Sequence, residues 1–190
     1  MRDAQLEKSV PASADADYTQ PLATFYARAD LPVPRIERIP GNEMPEPFRS
    51  LLVHKNDMTP TLEQHHGTQI HLRVLRSERH GNHYHREVVL VLDGSNRPVE
   101  FGANRVNLEL YPQDAQDLIL KEYVPLGSIL ARFKIIHSCH PSAYLRITAD
   151  SLIASELGAE VGQTLYGRRN TLKDPQGRVL SEILEILPTA

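Results

Sequence analysis

Residues 84–92 and 98–108 flank Asp93-Gly94-Ser95-Asn96-Arg97, a strong reversal signal between two strand-like runs, and so fold back as an antiparallel hairpin. A second reversal, Asp174-Pro175-Gln176-Gly177, has proline second and glycine fourth, the residues of a type I turn. It joins strands expected over 163–173 and 178–187. Residues 68–80 alternate Ile70, Leu72 and Val74 against His71, Arg73 and Leu75, which predicts another strand. Strands linked by hairpins outnumber helices. The expected class is therefore α+β, an antiparallel β-sheet with helices on one side.

The helices are short. Phe48, Leu51 and Leu52 lie at helical spacing and predict a helix over about 47–55. A second is expected to start at Thr59, with Pro60 in its first turn and Gly67 as its stop. Further helices are expected after Pro112, after Pro125-Leu126-Gly127 and over about 151–157, and a strand over about 132–137. Residues 1–46 form a proline-rich N-terminal arm, followed by a domain over 47–190. Residues 1–20 lack the apolar surface to offset chain entropy and are expected to be disordered. Part of 21–40 is expected to lie on the body as an extended arm.

Composition then excludes several classes. A chain of 190 residues suits one domain, or one domain and a tail. Its net charge of −3 is mixed along the chain, without the basic stripe of a nucleic-acid surface. The longest apolar run in the body, Val88 to Leu92, is far short of the roughly 20 residues that span a bilayer. There is no apolar leader after Met1-Arg2-Asp3, so the expected location is cytoplasmic. The single cysteine, Cys139, has no internal partner for a disulfide.

Two charged residues fall in aliphatic rows. On the strand 84–92, Arg86 shares a face with Val88, Leu90 and Leu92; near the C-terminus Glu182 is read in a row with Leu180, Leu184 and Ile186. The plain alternative is that Arg86 reaches water at a strand end and Glu182 pairs with Arg86 or Arg168. The functional reading is a pocket against the sheet, where arginine's planar fork matches a carboxylate.

Four local sequences add to that reading. They are Asp57-Met58-Thr59 after Leu51-Leu52, His85-Arg86-Glu87-Val88-Val89-Leu90 before Asp93-Gly94, Pro125-Leu126-Gly127, and Leu165-Tyr166-Gly167-Arg168-Arg169 leading into Leu180-Ser181-Glu182-Ile183 and Leu187-Pro188. In this order, over about 47–188, the chain resembles the chorismate pyruvate-lyase family. The resemblance implies a ligand enclosed beneath helical flaps, chorismate as substrate, and 4-hydroxybenzoate and pyruvate as products. The product's fate would be quinone (ubiquinone) biosynthesis or a secondary metabolite. Arg86 would hold the ring carboxylate with the backbone amides of Met58 and Leu126, and Glu182 would orient the 4-hydroxyl or accept the C4 proton. The elimination aromatises the ring, so it needs no cofactor or metal.

Rival readings remain open. The effector-binding domains of some bacterial repressors are similar in fold to this family and bind small anions without catalysis. His83 with His85, and His137 with His140 around Cys139, suggest a metal site, but no HExxH or paired-cysteine spacing accompanies them. Solvated or hydrogen-bonded histidines are the plainer reading, and no metal is expected. Cys139 beside His140 is a chain-neighbour pair, which does not provide the geometry of a nucleophile and its base. Oligomeric state is left open, with a monomer as the default.

Overall fold

The computed structural model describes residues 17–189. Most of the stretch expected to be disordered, residues 1–16, lies outside them. The elements run α1 (Leu22–Arg28), β1 (Ile36–Ile39), α2 (Phe48–Leu52), α3 (Met58–His66), β2 (Ile70–His80), β3 (His83–Leu92) and β4 (Pro98–Asn107). They continue with α4 (Gln113–Leu120), α5 (Leu126–Arg132), β5 (Ser138–Thr148), α6 (Ser151–Leu157), β6 (Thr164–Lys173) and β7 (Val179–Leu187).

The strands form one seven-stranded sheet in the order β1-β5-β6-β7-β4-β3-β2, and all neighbours are antiparallel. The two turn signals make the β3–β4 and β6–β7 hairpins, and β4 pairs with β7 to join them. The expected antiparallel α+β sheet is present. Helices α2 to α5 cover one face: Leu52, Met58 and Leu62 pack on Leu72, Val88 and Leu90, while Ile119, Ile129 and Leu130 pack near Val106, Leu172 and Ile183. The other face holds α1 and α6, with Phe25, Tyr26, Ile153 and Leu157 against Val89, Phe101, Leu145 and Leu184.

Two expectations change. Part of 21–40 does lie on the body, as expected, but as helix α1 and strand β1 rather than as an extended arm. Leu22 and Tyr26 of α1 are fully buried, and β1 is the sheet's outer strand on β5. The strand expected at 132–137 is instead the end of α5 and its exit, and the true strand is β5. The amides of Phe133, Lys134 and Ile135 are taken by the carbonyls of Ile129, Ala131 and Leu130, so they cannot enter a ladder. The second helix begins at Met58, with Asp57 as its N-cap, and Gly67 ends it in the left-handed conformation at φ 63°.

Candidate ligand-binding site

Cross-strand partners share a sheet face, so the register fixes which side chains meet beneath α2 to α5. One row runs Arg86, Asn104, Ile183, Asn170 across β3, β4, β7 and β6. The next runs Val88, Gly102, Glu185, Arg168, and beyond it Leu90 stands beside Glu100. Arg86, Glu100, Asn104, Asn170 and Glu185 all line one pocket, and Met58 and Leu126 close it from the helix side. Its cavity is about 40 Å³, space for a few waters rather than for a six-membered ring.

The charges in this pocket are unevenly matched. Arg168 is 0 % exposed and has a full set of acceptors: the Glu185 carboxylate on Nε, the carbonyls of Leu52 and His54 on Nη1, and that of Asn56 on Nη2. Arg86 is also 0 % exposed, yet its sole hydrogen bond is a long one of 3.5 Å from Nη1 to the Ile119 carbonyl. Among the described residues its Nε and Nη2 have no partner, and neither do Oε2 of Glu100, Oδ1 of Asn104 or Oδ1 of Asn170. Burial, and then the neighbouring Glu185, hold the Glu100 carboxyl well above the usual range, while Arg168 opposes them. Glu100 is thus pushed toward its protonated form, in which it can donate one hydrogen bond.

Two glycines of the sequence motifs are required by close approach. A Cβ on Gly127 would lie 2.9 Å from Thr59 Oγ1, so Gly127 lets α5 start directly against the start of α3. A Cβ on Gly167 would lie 2.3 Å from the carbonyl oxygen of Glu185, which Gly167 meets across the β6–β7 ladder. Asp57 occupies the N-cap of α3 without capping it. Its carboxylate instead accepts from His137 Nε2 at 3.0 Å and from Cys139 Sγ at 3.3 Å. The partnership spans about eighty residues and so is invisible to local spacing.

Of the residues expected in the site, Arg86, Met58 and Leu126 come together; Glu182 does not. Glu182 lies on the opposite face, ion-paired with Arg105 and with Arg169 Nη2 at 2.7 Å, in a surface pocket beside His85. The expected row failed at its first member. A bulge opposite Leu172 and Lys173 shifts the phase at Leu180, which packs with Tyr84, Val106 and Ile183 on the pocket face, while Glu182, Leu184 and Ile186 keep the other. The carboxyls that the sheet brings to the pocket are Glu100 and Glu185, while Asp57 stands on its helix side. Each glutamate stood in the sequence as an acid within an apolar strand, the only signal that could have found it.

No protein-family model matches the sequence, and no curated protein matches it. Solved structures share the fold. PhnF from Mycobacterium smegmatis superposes with a TM-score of 0.53 at 12% identity, over 72% of this chain and 65% of that one. The effector domain of PhnF alone gives 0.53 at 13%, over 69% and 87%. A gene product of Staphylococcus aureus gives 0.51 at 11%, over 72% and 90%. At such identities the likeness is one of fold: this chain has the architecture of the PhnF effector domain.

Proposed function

We propose that the chain is a binding domain for a small organic acid, whose carboxylate lies on Arg86 beneath α3 and α5. One observation carries this reading. Arg86 is fully buried at a pocket, and among the described residues it has no ion-pair partner and leaves two guanidinium nitrogens without acceptors. A buried charge without a partner costs several kcal/mol, and an incoming carboxylate offsets that cost through a forked pair of charge-assisted bonds. The aliphatic walls Leu72, Val88, Leu90 and Leu172 suit a flat ring, and Glu100 with Asn170 suits a hydroxyl or carbonyl at its far end. The fold shared with the effector domain of PhnF supports a binding role. The test is thermal melting with 4-hydroxybenzoate and with 4-hydroxybenzyl alcohol, which lacks the carboxylate. Acid at 100 times its dissociation constant stabilises by about 2.7 kcal/mol, and the alcohol gives little. Equal response to both, or none to any aromatic acid, overturns the reading.

A second reading is the lyase. It rests on the four sequence motifs and on the meeting of Arg86, Met58 and Leu126 in one pocket. In that reading Glu100 or Glu185 takes the part first given to Glu182. Incubation with chorismate and detection of pyruvate by a coupled dehydrogenase decides it. Binding of 4-hydroxybenzoate without pyruvate release leaves the domain a binder.

A further inference from the structure

Asp57, His137 and Cys139 bring one carboxylate oxygen, one imidazole nitrogen and one sulfur within 4.8 Å of one another. We propose that they form a three-ligand site for a divalent transition metal, Zn²⁺ being the ion whose preferences they match.

Zinc bonds of about 2.0–2.3 Å to N, O and S in a tetrahedron place the ligand atoms about 3.3–3.6 Å apart. Here Nε2 lies 3.0 Å from the nearer Asp57 oxygen and Sγ lies 3.3 Å from it, so small side-chain adjustments admit the ion. His137 immediately precedes β5 and Cys139 is its second residue, and both side chains reach the Asp57 carboxylate. The Nδ1 of His137 is 2.8 Å from the Ile135 carbonyl, and a proton there leaves the Nε2 lone pair for a metal. Asp57 gives up its capping role to face this pair. The mixed N, O and S set is one that zinc accepts, and a thiolate with a carboxylate neutralises the ion's double charge. Three protein ligands leave a fourth position open to exchange, the arrangement of reactive rather than structural zinc. Asp57 also lines the pocket beside Met58, so the metal would stand at the rim of the acid site. The opposing charge of Arg168 nearby is engaged by Glu185.

The competing account is a protonated His137 paired with Asp57, with the Cys139 thiol donating and no ion bound. The metal site does not depend on what the pocket holds, so the test reads the metal alone. Co²⁺ titrated into the reduced chain should give a thiolate-to-cobalt charge-transfer band that saturates at about one equivalent, as expected where a single cysteine serves one site. His137→Gln and Asp57→Asn should weaken cobalt binding by at least about tenfold. His140→Ala, at an exposed histidine bonded to Ser138, should not. Circular dichroism establishes that the variants fold. In the unaltered chain Zn²⁺ should slow alkylation of Cys139 by at least about tenfold, which needs no variant. Absence of the band, unchanged alkylation, or a band indifferent to His137 and Asp57 overturns the proposal.

Discussion

Arg86 and Arg168 lie in adjacent rows of one sheet face, both completely buried, and Arg168 alone faces a carboxylate, that of Glu185. The contrast separates a structural arginine from one held open. Arg168 ties β6 and β7 to the 52–56 segment through three carbonyls as well as its ion pair. Arg86 has no such set of bonds.

That difference predicts opposite outcomes on substitution. Arg86→Met keeps the unbranched stem and removes the buried guanidinium charge, so the ligand-free chain should melt at the same temperature or higher. Stabilisation by 4-hydroxybenzoate should vanish. Arg86→Lys should restore only part of it, because an ammonium lacks the fork. A large loss of stability in Arg86→Met would show that Arg86 holds the fold rather than a ligand.

Glu185→Ala leaves Arg168 buried without its carboxylate and should destabilise by about 3 kcal/mol, the lower end for a broken buried pair, since the carbonyls of Leu52, His54 and Asn56 remain. Urea midpoints measure this. A cost below about 0.5 kcal/mol would mean that the carbonyls alone satisfy Arg168.

Glu100 gives the pH dependence. Its folded-state pKa is raised above the ordinary 4.5 by burial and then by Glu185, with Arg168 opposing. The folded chain therefore binds more protons than the unfolded one. The stability that Glu100 contributes is whole below pH 4.5 and is lost as pH rises toward the raised folded value. Glu100→Gln should leave stability nearly unchanged at acid pH and flatten the decline on the alkaline side. Parallel pH profiles for the two proteins would mean that Glu100 ionises freely.

Glu182 should behave as a surface residue. Glu182→Gln removes partners from Arg105 and Arg169, partly exposed pairs worth about 0–1 kcal/mol, and should leave acid affinity unchanged. A tenfold loss of 4-hydroxybenzoate affinity would bring it back into the site.

The contrast between Glu182 and Glu185 shows what could be read before the fold was known. Alternation within a strand is local, so Arg86 was visibly a cation in an aliphatic row. Which face of β7 meets which face of β3 depends on β4 between them and on the bulge at Leu180, neither of which alternation encodes. The turn residues of the hairpins act locally and led to the right sheet. Strand β5 opens with Ser138, His140 and Pro141, a weak start for a strand, although Ala143, Leu145 and Ile147 alternate further along it. Asp57 meets His137 and Cys139 through tertiary structure alone.

The cavity's size sets the last prediction. At about 40 Å³ it does not hold a benzoate ring, so any aromatic acid must enter while α3 or α5 moves. Both helices are short, at nine and seven residues, and each meets the sheet through a few side chains, Met58 and Leu62 for one, Leu126, Ile129 and Leu130 for the other. Short elements with few buried contacts open at less cost than the strands beneath them. Amides of α3 and α5 should therefore exchange with deuterium faster than those of β3 and β4 in the free chain, and slow when 4-hydroxybenzoate is bound. Association should be slower than diffusional encounter and level off at high ligand concentration, because binding waits on opening. Gly127→Ala forces α5 away from Thr59 and should speed both entry and exchange. Ligand protection confined to other elements, with α3 and α5 unaffected, would rule out the helices as the way in.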